Sequence, residues 1–298
     1  MKFRRRYRSR YVSDRRAMSP SGGGFSGGLP IGAAGGGIGG IVLLLLFLFL
    51  GGGDILGGGG DSVPDIDRFP QAPSAGAQDP AVPGGTDPEA EQVSFVSFVF
   101  DDAQATWTQL FEESGRTYRP AQLVLFRQTT DSGCGFATSD VGPFYCPADE
   151  TIYLDLGFFR ELQNRFGAEG DFAQAYVVAH EVAHHVQNQL GISGRVQRLS
   201  GEDPSAANEL SIQQELQADC LAGVWGQTTY ERGLLETGDL QEGLGAAAAV
   251  GDDRIQRQVT GTVNPETWTH GSSQQRRTWF EEGFTSGDAD TCDTFGWT

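Results

Sequence analysis

His180 and His184 bracket Glu181 in the run His180-Glu181-Val182-Ala183-His184, and Glu215 follows thirty-one residues after His184. On a helix, positions i and i+4 share a face, so both imidazoles can reach one metal while Glu181, about 100° further round, borders the same cavity. Two imidazoles and the Glu215 carboxylate fill three positions of a tetrahedral zinc and leave the fourth for water, the open arrangement of a catalytic site. Glu181 is then the group to take that water's proton. Asp219, four residues beyond Glu215, can accept the outer ring N–H of a ligand histidine and hold its tautomer. The chain has only four histidines, three of them at 180, 184 and 185, so composition does not generate the pattern. His185 points off the ligand face and reads as structural.

These side chains need two helices to carry them. Phe172, Tyr176, Ala179, Ala183, Val186 and Leu190 recur at helical spacing, which predicts a buried helix over 172–190. Asp171 with Gln174 resembles a capping box at its start, and Gly191 supplies the stop. Buried histidines and a buried carboxylate require partners, and a metal supplies them at one point. The second helix, 207–225, carries Ile212, Leu216, Cys220, Leu221, Val224 and Trp225, too apolar for an exposed acidic edge; Ala218, Ala222 and Gly223 permit close helix approach. Upstream, 123–126, 142–146 and 151–156 read as short strands between Gly, Pro and Asp turns, and 158–166 as a helix. His270 precedes Ser272 and Ser273, which can cap a helix running to Phe284. It can hydrogen-bond a transition-state oxyanion or simply shape the capping loop.

The N-terminal third sets location. Eight of the 21 basic residues fall in the first sixteen positions, and the 31–50 segment ends in ten residues that are only Ile, Val, Leu and Phe. Twenty helical residues rise about 30 Å, enough to span a bilayer. Basic flanks stay inside, so the expectation is a basic, Gly-rich cytoplasmic tail over 1–30, a single transmembrane helix over 31–50 and everything beyond it outside. A nucleic-acid-binding arm and a cleaved signal peptide are the rival readings of this region. Residues 51–92 are Gly, Pro, Asp, Ala and Ser with few apolar residues, a tether rather than a core. The remaining 93–298 suffices for one domain. The chain carries 39 acidic residues and a net charge of −18, which disfavours nucleic acid as a partner.

Four cysteines fit an extracytoplasmic domain and allow three connectivities. Cys134 and Cys146 flank a segment that reads as a hairpin, so the pairing adopted is Cys134–Cys146 with Cys220–Cys292. The second bond would tie the tail to the helix of Glu215.

From about Val93 onward the chain resembles the putative neutral zinc metallopeptidases, whose members are commonly membrane-anchored bacterial proteins. The resemblance runs through Ser132-Gly-Cys-Gly, Gly142-Pro-Phe-Tyr-Cys-Pro-Ala-Asp, Tyr153-Leu-Asp-Leu, Gly170-Asp-Phe-Ala-Gln-Ala-Tyr, His180-Glu-Val-Ala-His-His-Val-Gln, Glu215-Leu-Gln-Ala-Asp-Cys and His270-Gly-Ser-Ser. Family members usually carry Gly where this chain has Ala183, which is still small and favours helix more. The resemblance implies an α+β zincin-like domain with a small sheet, a Zn2+ cofactor, Glu215 as third ligand and a peptide or protein substrate. In zincins an edge strand beside the metal pairs with an extended peptide, which makes Phe144 and Tyr145 the expected substrate wall. The expected activity is membrane-anchored, zinc-dependent hydrolysis of peptide bonds by a zinc-bound water with Glu181 as general base. The alternative is a membrane-anchored binding or assembly module whose zinc is structural or catalytically silent.

Overall fold

The computed structural model describes residues 1–18 and 87–297. The expected transmembrane helix over 31–50 and all but the last residues of the 51–92 tether lie outside the described residues. No helix among the described residues is long and apolar enough to cross a membrane.

The fold is α+β, with helices predominating. In chain order its elements are β1 (Val12–Asp14), α1 (Ala90–Glu113), β2 (Gln122–Phe126), β3 (Thr129–Ser132), β4 (Gly135–Thr138), β5 (Phe144–Cys146) and β6 (Thr151–Asp155). There follow α2 (Gly157–Phe166), α3 (Asp171–Gln189), α4 (Ile192–Glu202), α5 (Ala207–Glu231), α6 (Asp239–Ala249), α7 (Asp252–Thr260) and α8 (Ser273–Ser286). One sheet has the order β1-β2-β6-β5, parallel except for β5, which runs antiparallel to β6 with Phe144 opposite Tyr153 and Tyr145 opposite Ile152. β5 is therefore an edge strand. Both faces of β2 are covered, which explains its unbroken apolar run: Leu123 and Leu125 join the helical core, while Val124 and Phe126 pack with Cys146 and Tyr153 on the other face.

The structure corrects the expected organisation of the N-terminus. Residues 1–18 are not a tail apart from the domain. β1 pairs with β2 (Val12 with Leu123, Asp14 with Leu125), and Phe3 packs edge-on against Phe95 at 5.1 Å. Tyr7 and Ser9 both donate to Asp101 at 2.9 and 2.7 Å. Arg16 meets Asp14, Asp87 and Glu89, each at 2.7 Å. Residues 87–92, at the end of the expected tether, are thus packed with the fold. A strand cannot pair through a bilayer, so a tail inside the membrane with the domain outside is incompatible with these contacts.

The helix that carries His180 and His184 begins one residue earlier than expected and is capped differently. Its N-cap is Gly170 at φ 101°, where a Cβ would lie 1.9 Å from the Glu242 carboxyl carbon. Glu242 accepts from the Phe172 N–H at 3.0 Å and puts negative charge at the helix N-terminus. Asp171 and Gln174 form no capping box: Asp171 holds the Met1 ammonium at 2.8 Å, and Gln174 accepts from Gln92 at 3.0 Å. The segment between Cys134 and Cys146 is not a hairpin either, because β4 pairs with β3 and not with β5. The disulfide instead pins the β3–β4 turn to the edge strand.

α8 lies along α5 at the closest range sterics allow. A Cβ on Gly283 would sit 1.9 Å from the Cys220 carbonyl oxygen, and one on Gly223 would sit 2.2 Å from that of Phe280. Only glycine at both positions permits this crossing, which carries Arg276 over the face of α5 that holds Asp219. The start of α8 is a capping box, with Ser272 and Gln275 exchanging bonds, four residues before Arg276.

Candidate metal centre

His180 and His184 project from α3 toward Glu215 on α5. His180 Nε2 lies 3.2 Å from Glu215 Oε2 and His184 Nε2 lies 3.4 Å from Oε1. All three donors fall within 4.8 Å of one another. Tetrahedral zinc with bonds of about 2.0–2.2 Å separates its ligand atoms by roughly 3.3–3.5 Å, so the donor set fits this ion. Each imidazole presents Nε2, and each Nδ1 has its own partner: Asp219 Oδ1 at 2.9 Å for His180, Gln187 Oε1 at 2.9 Å for His184. This outer bonding holds both rings with their Nε2 lone pairs toward one point.

Asp219 is itself held from three sides. Arg276 donates through Nε to Oδ2 at 2.8 Å and through Nη2 to Oδ1 at 3.0 Å, and the Tyr176 hydroxyl donates to Oδ1. Both ions are buried, Asp219 completely. Burial resists charge on Asp219, but Arg276 and His180 outweigh it and hold the carboxyl below its usual range. Burial likewise resists charge on His180, yet Asp219 and Glu215 lift its pKa to about 9. Glu215 is held well below its ordinary value by the two histidines despite its burial.

Glu181 differs. Burial pushes its carboxyl pKa up, partly countered by His184 and His180. It makes no side-chain hydrogen bond or ion pair among the described residues, and it lines a cleft of about 410 Å3 shared with the triad. A carboxyl with raised proton affinity, unbonded and facing that space, suits a group that takes up and returns protons.

The cleft also gathers residues distant in sequence. β5 forms one wall with Phe144, which stacks on Tyr153 at 5.0 Å, and Tyr145, whose hydroxyl meets His185 Nδ1 at 2.9 Å. His185 thus faces the sheet side, away from the triad. His270 lines the cleft too. Its Nδ1 lies 3.0 Å from Asp252 Oδ1, while the Thr269, His270 and Gly271 N–H groups all donate to Asp252 Oδ2 at 2.7–3.0 Å. Burial opposes protonation of His270, but Asp252 raises its pKa. Arg276, Tyr176, Gln187 and Asp252 have no counterpart in the expectations drawn from sequence. Gln187, one turn beyond His184, and Tyr176, one turn before His180, could have been found by helical spacing; Arg276 and Asp252 are brought in by tertiary contacts alone.

The cysteines pair as Cys134–Cys146 and Cys220–Cys292, as in an oxidising, extracytoplasmic setting. A second acidic group, Asp171, Asp239 and Glu242, also comes together. The Met1 ammonium already lies 2.8 Å from Asp171 and 3.1 Å from Asp239, so this cluster has its cation.

The sequence profile described as putative neutral zinc metallopeptidase matches residues 1–295 of the chain. The chain belongs to that family. Within the zinc metallopeptidase match lies similarity to uncharacterized protein YpfJ of Escherichia coli strain K12, 52% identical over 209 residues, 70% of this chain and 73% of that one. Uncharacterized protein Rv2575 of Mycobacterium tuberculosis is 50% identical over 189 residues, 60% of this chain and 63% of its own. No solved structure matches the chain significantly. The match extends over the N-terminal arm as well as the helices of the metal centre.

Proposed function

We propose that the chain is a zinc-dependent peptidase that hydrolyses peptide bonds in an oxidising compartment. The observation that carries this reading is the meeting, along one cleft, of a three-donor set and an unbonded carboxyl of raised proton affinity. A purely structural zinc would have its fourth position closed by protein and no use for Glu181.

His180, His184 and Glu215 would hold the ion, with Asp219 and Gln187 fixing the two rings. When bound, zinc supplies Lewis acidity, lowering the pKa of a water and polarising the scissile carbonyl. Glu181 accepts the proton of the attacking water and returns it to the leaving amine, two transfers suited to a carboxyl whose pKa is raised toward neutrality. The edge of β5 offers unpaired backbone groups along which an extended peptide can add as a strand, with Phe144 and Tyr145 flanking it. His270, held by Asp252 through Nδ1, would donate from Nε2 toward the oxyanion of the tetrahedral species when its ring carries both protons, a state that Asp252 favours; such a donor is typically worth about 10²–10³ in rate.

The test joins metal analysis to a peptide-library digest. His184→Ala and Glu215→Ala should lose most of about one equivalent of zinc, whereas Glu181→Gln keeps the metal and loses hydrolysis by about 10²–10⁴. Wild-type zinc content in both ligand variants would end the metal reading. Undiminished hydrolysis by Glu181→Gln would end the mechanism.

A further inference from the structure

The geometry points to a one-way hydrogen-bond relay, Cys292 to Gln217 to Gln187 to His184, through which the disulfide-clamped C-terminal tail orients a metal ligand. The inference rests on the metal reading above and deepens it: Gln217 and Gln187 are positioning residues for a ligand neither of them coordinates.

Every step follows from what each group is able to donate. The Cys292 carbonyl can only accept, and it takes a hydrogen bond from Gln217 Nε2 at 3.0 Å. The Gln217 amide is thereby turned so that its Oε1 faces Gln187, whose Nε2 donates to it at 3.0 Å. The second proton of that same nitrogen goes to the Gln214 carbonyl at 2.8 Å, another group that only accepts. Gln187 therefore cannot flip without setting donors against donors or acceptors against acceptors. Its Oε1 is left facing His184 Nδ1 at 2.9 Å, and this bond forms only if Nδ1 carries the hydrogen. The lone pair of the neutral ring then lies on Nε2, the nitrogen facing Glu215.

Burial makes the relay strict. Gln187 is fully buried and Gln217 nearly so, so water does not readily replace a lost partner. The far end is anchored covalently, because Cys292 is bonded to Cys220 on α5, the helix that also carries Gln217 and Glu215. Thr294 adds a hydrogen bond to the Gln213 carbonyl at 2.5 Å, which holds the tail on the same helix. The tail is thus part of the metal centre while lying outside the ligand set.

The experiment uses the described chain with three changes and two readouts. Gln217→Leu, Gln187→Leu and the paired Cys220→Ala, Cys292→Ala variant each break the relay at one link; replacing the cysteines avoids thiol reductants, which bind zinc. Zinc affinity is read by competition with a chromophoric chelator, and the His184 tautomer by 15N spectra of the metal-free protein with its imidazole neutral. The expected result is a 10–100-fold loss of affinity in each variant, the usual cost of removing an outer partner of a ligand. It should be accompanied by loss of the pure Nδ1–H tautomer seen in the parent. Parent-like affinity in all three breaking variants, or an Nε2–H tautomer in the parent, overturns the relay. A parent that holds no zinc, yet shows the Nδ1–H tautomer and loses it in the variants, refutes the metal reading and leaves the relay standing.

Discussion

Replacing Arg276 by Met removes the one arginine that, among the described residues, is bonded to the completely buried Asp219 carboxylate, and keeps most of the side-chain volume. Arg276 gives Asp219 two charge-assisted hydrogen bonds, at 2.8 and 3.0 Å, and a third N–H group donates to the Val250 carbonyl at 3.2 Å. Without it, Asp219 keeps the Tyr176 hydroxyl and His180 but no permanent counter-charge. Removing one member of a buried pair costs about 3–5 kcal/mol, chiefly through the ion left behind. For a domain of this size each kcal/mol moves Tm by roughly 2–4 °C, so the expected drop is roughly 6–20 °C. Thermal unfolding of the chelator-stripped protein at neutral pH measures it. Adding Asp219→Leu to Arg276→Met should recover much of that loss, because the stranded charge is gone. The acid limb gives a second signature. Asp219 is depressed in the folded state, so its contribution is present above the ordinary carboxylate range and lost as pH falls through the depressed value. In Arg276→Met that loss should begin at higher pH. A Tm change below about 3 °C, or a double variant as unstable as the sum of the singles, would refute the idea that the pair's worth lies in mutual neutralisation.

Gly283→Ala should lower stability by about 1–3 kcal/mol or more, read by urea unfolding, because the new methyl would meet the Cys220 carbonyl and neither backbone can yield. The His270–Asp252 pair should stabilise the fold most between about pH 4 and 6.5. Asp252 is depressed, so its share is lost as pH falls through its folded value; His270 is raised, so its share is lost as pH rises through its own. His270→Ala should flatten the stability profile on both flanks, and an unchanged profile would dismiss the pair. Exposed positions on the arm and on α8, probed as Arg6→Cys and Glu281→Cys in intact cells with a membrane-impermeant thiol reagent, should be labelled together or not at all. Labelling of one alone would break the arm from the domain.

Much of the metal centre was legible because its information is local. The i, i+4 spacing of His180 with His184 and of Glu215 with Asp219 is a property of helices, and the apolar period of each helix carries it. Arg276 gives no such signal: next to Arg277 and four residues after a capping serine it looks like an ordinary solvated charge, and its burial depends on two glycines, Gly223 and Gly283, in different helices. Asp252 is equally silent, since its three backbone donors lie 17 to 19 residues away. The arm misled for a physical reason. Its arginines have the composition of a topology signal, and Val12-Ser13-Asp14 is too short and mixed to read as a strand; only pairing with Leu123–Leu125 reveals it. β3 and β4 were invisible because Thr129–Ser132 is polar on both faces.

The backbone contact between α5 and α8 also decides which part of the cleft is able to yield. With carbonyl and Cα surfaces touching at Gly223 and Gly283, neither helix has room to slide or rotate against the other without a collision. Glu215, Asp219 and Arg276 consequently move as one block. Among the described residues no such glycine-to-glycine backbone contact ties the facing wall, where Gly142 lies at φ 76° beside the Phe158 ring and the short α7 ends at Gly261. The site is mechanically asymmetric: the carboxylate ligand Glu215 is set with Asp219 and Arg276 in a stiff anvil, while the two histidines approach it from a different helix.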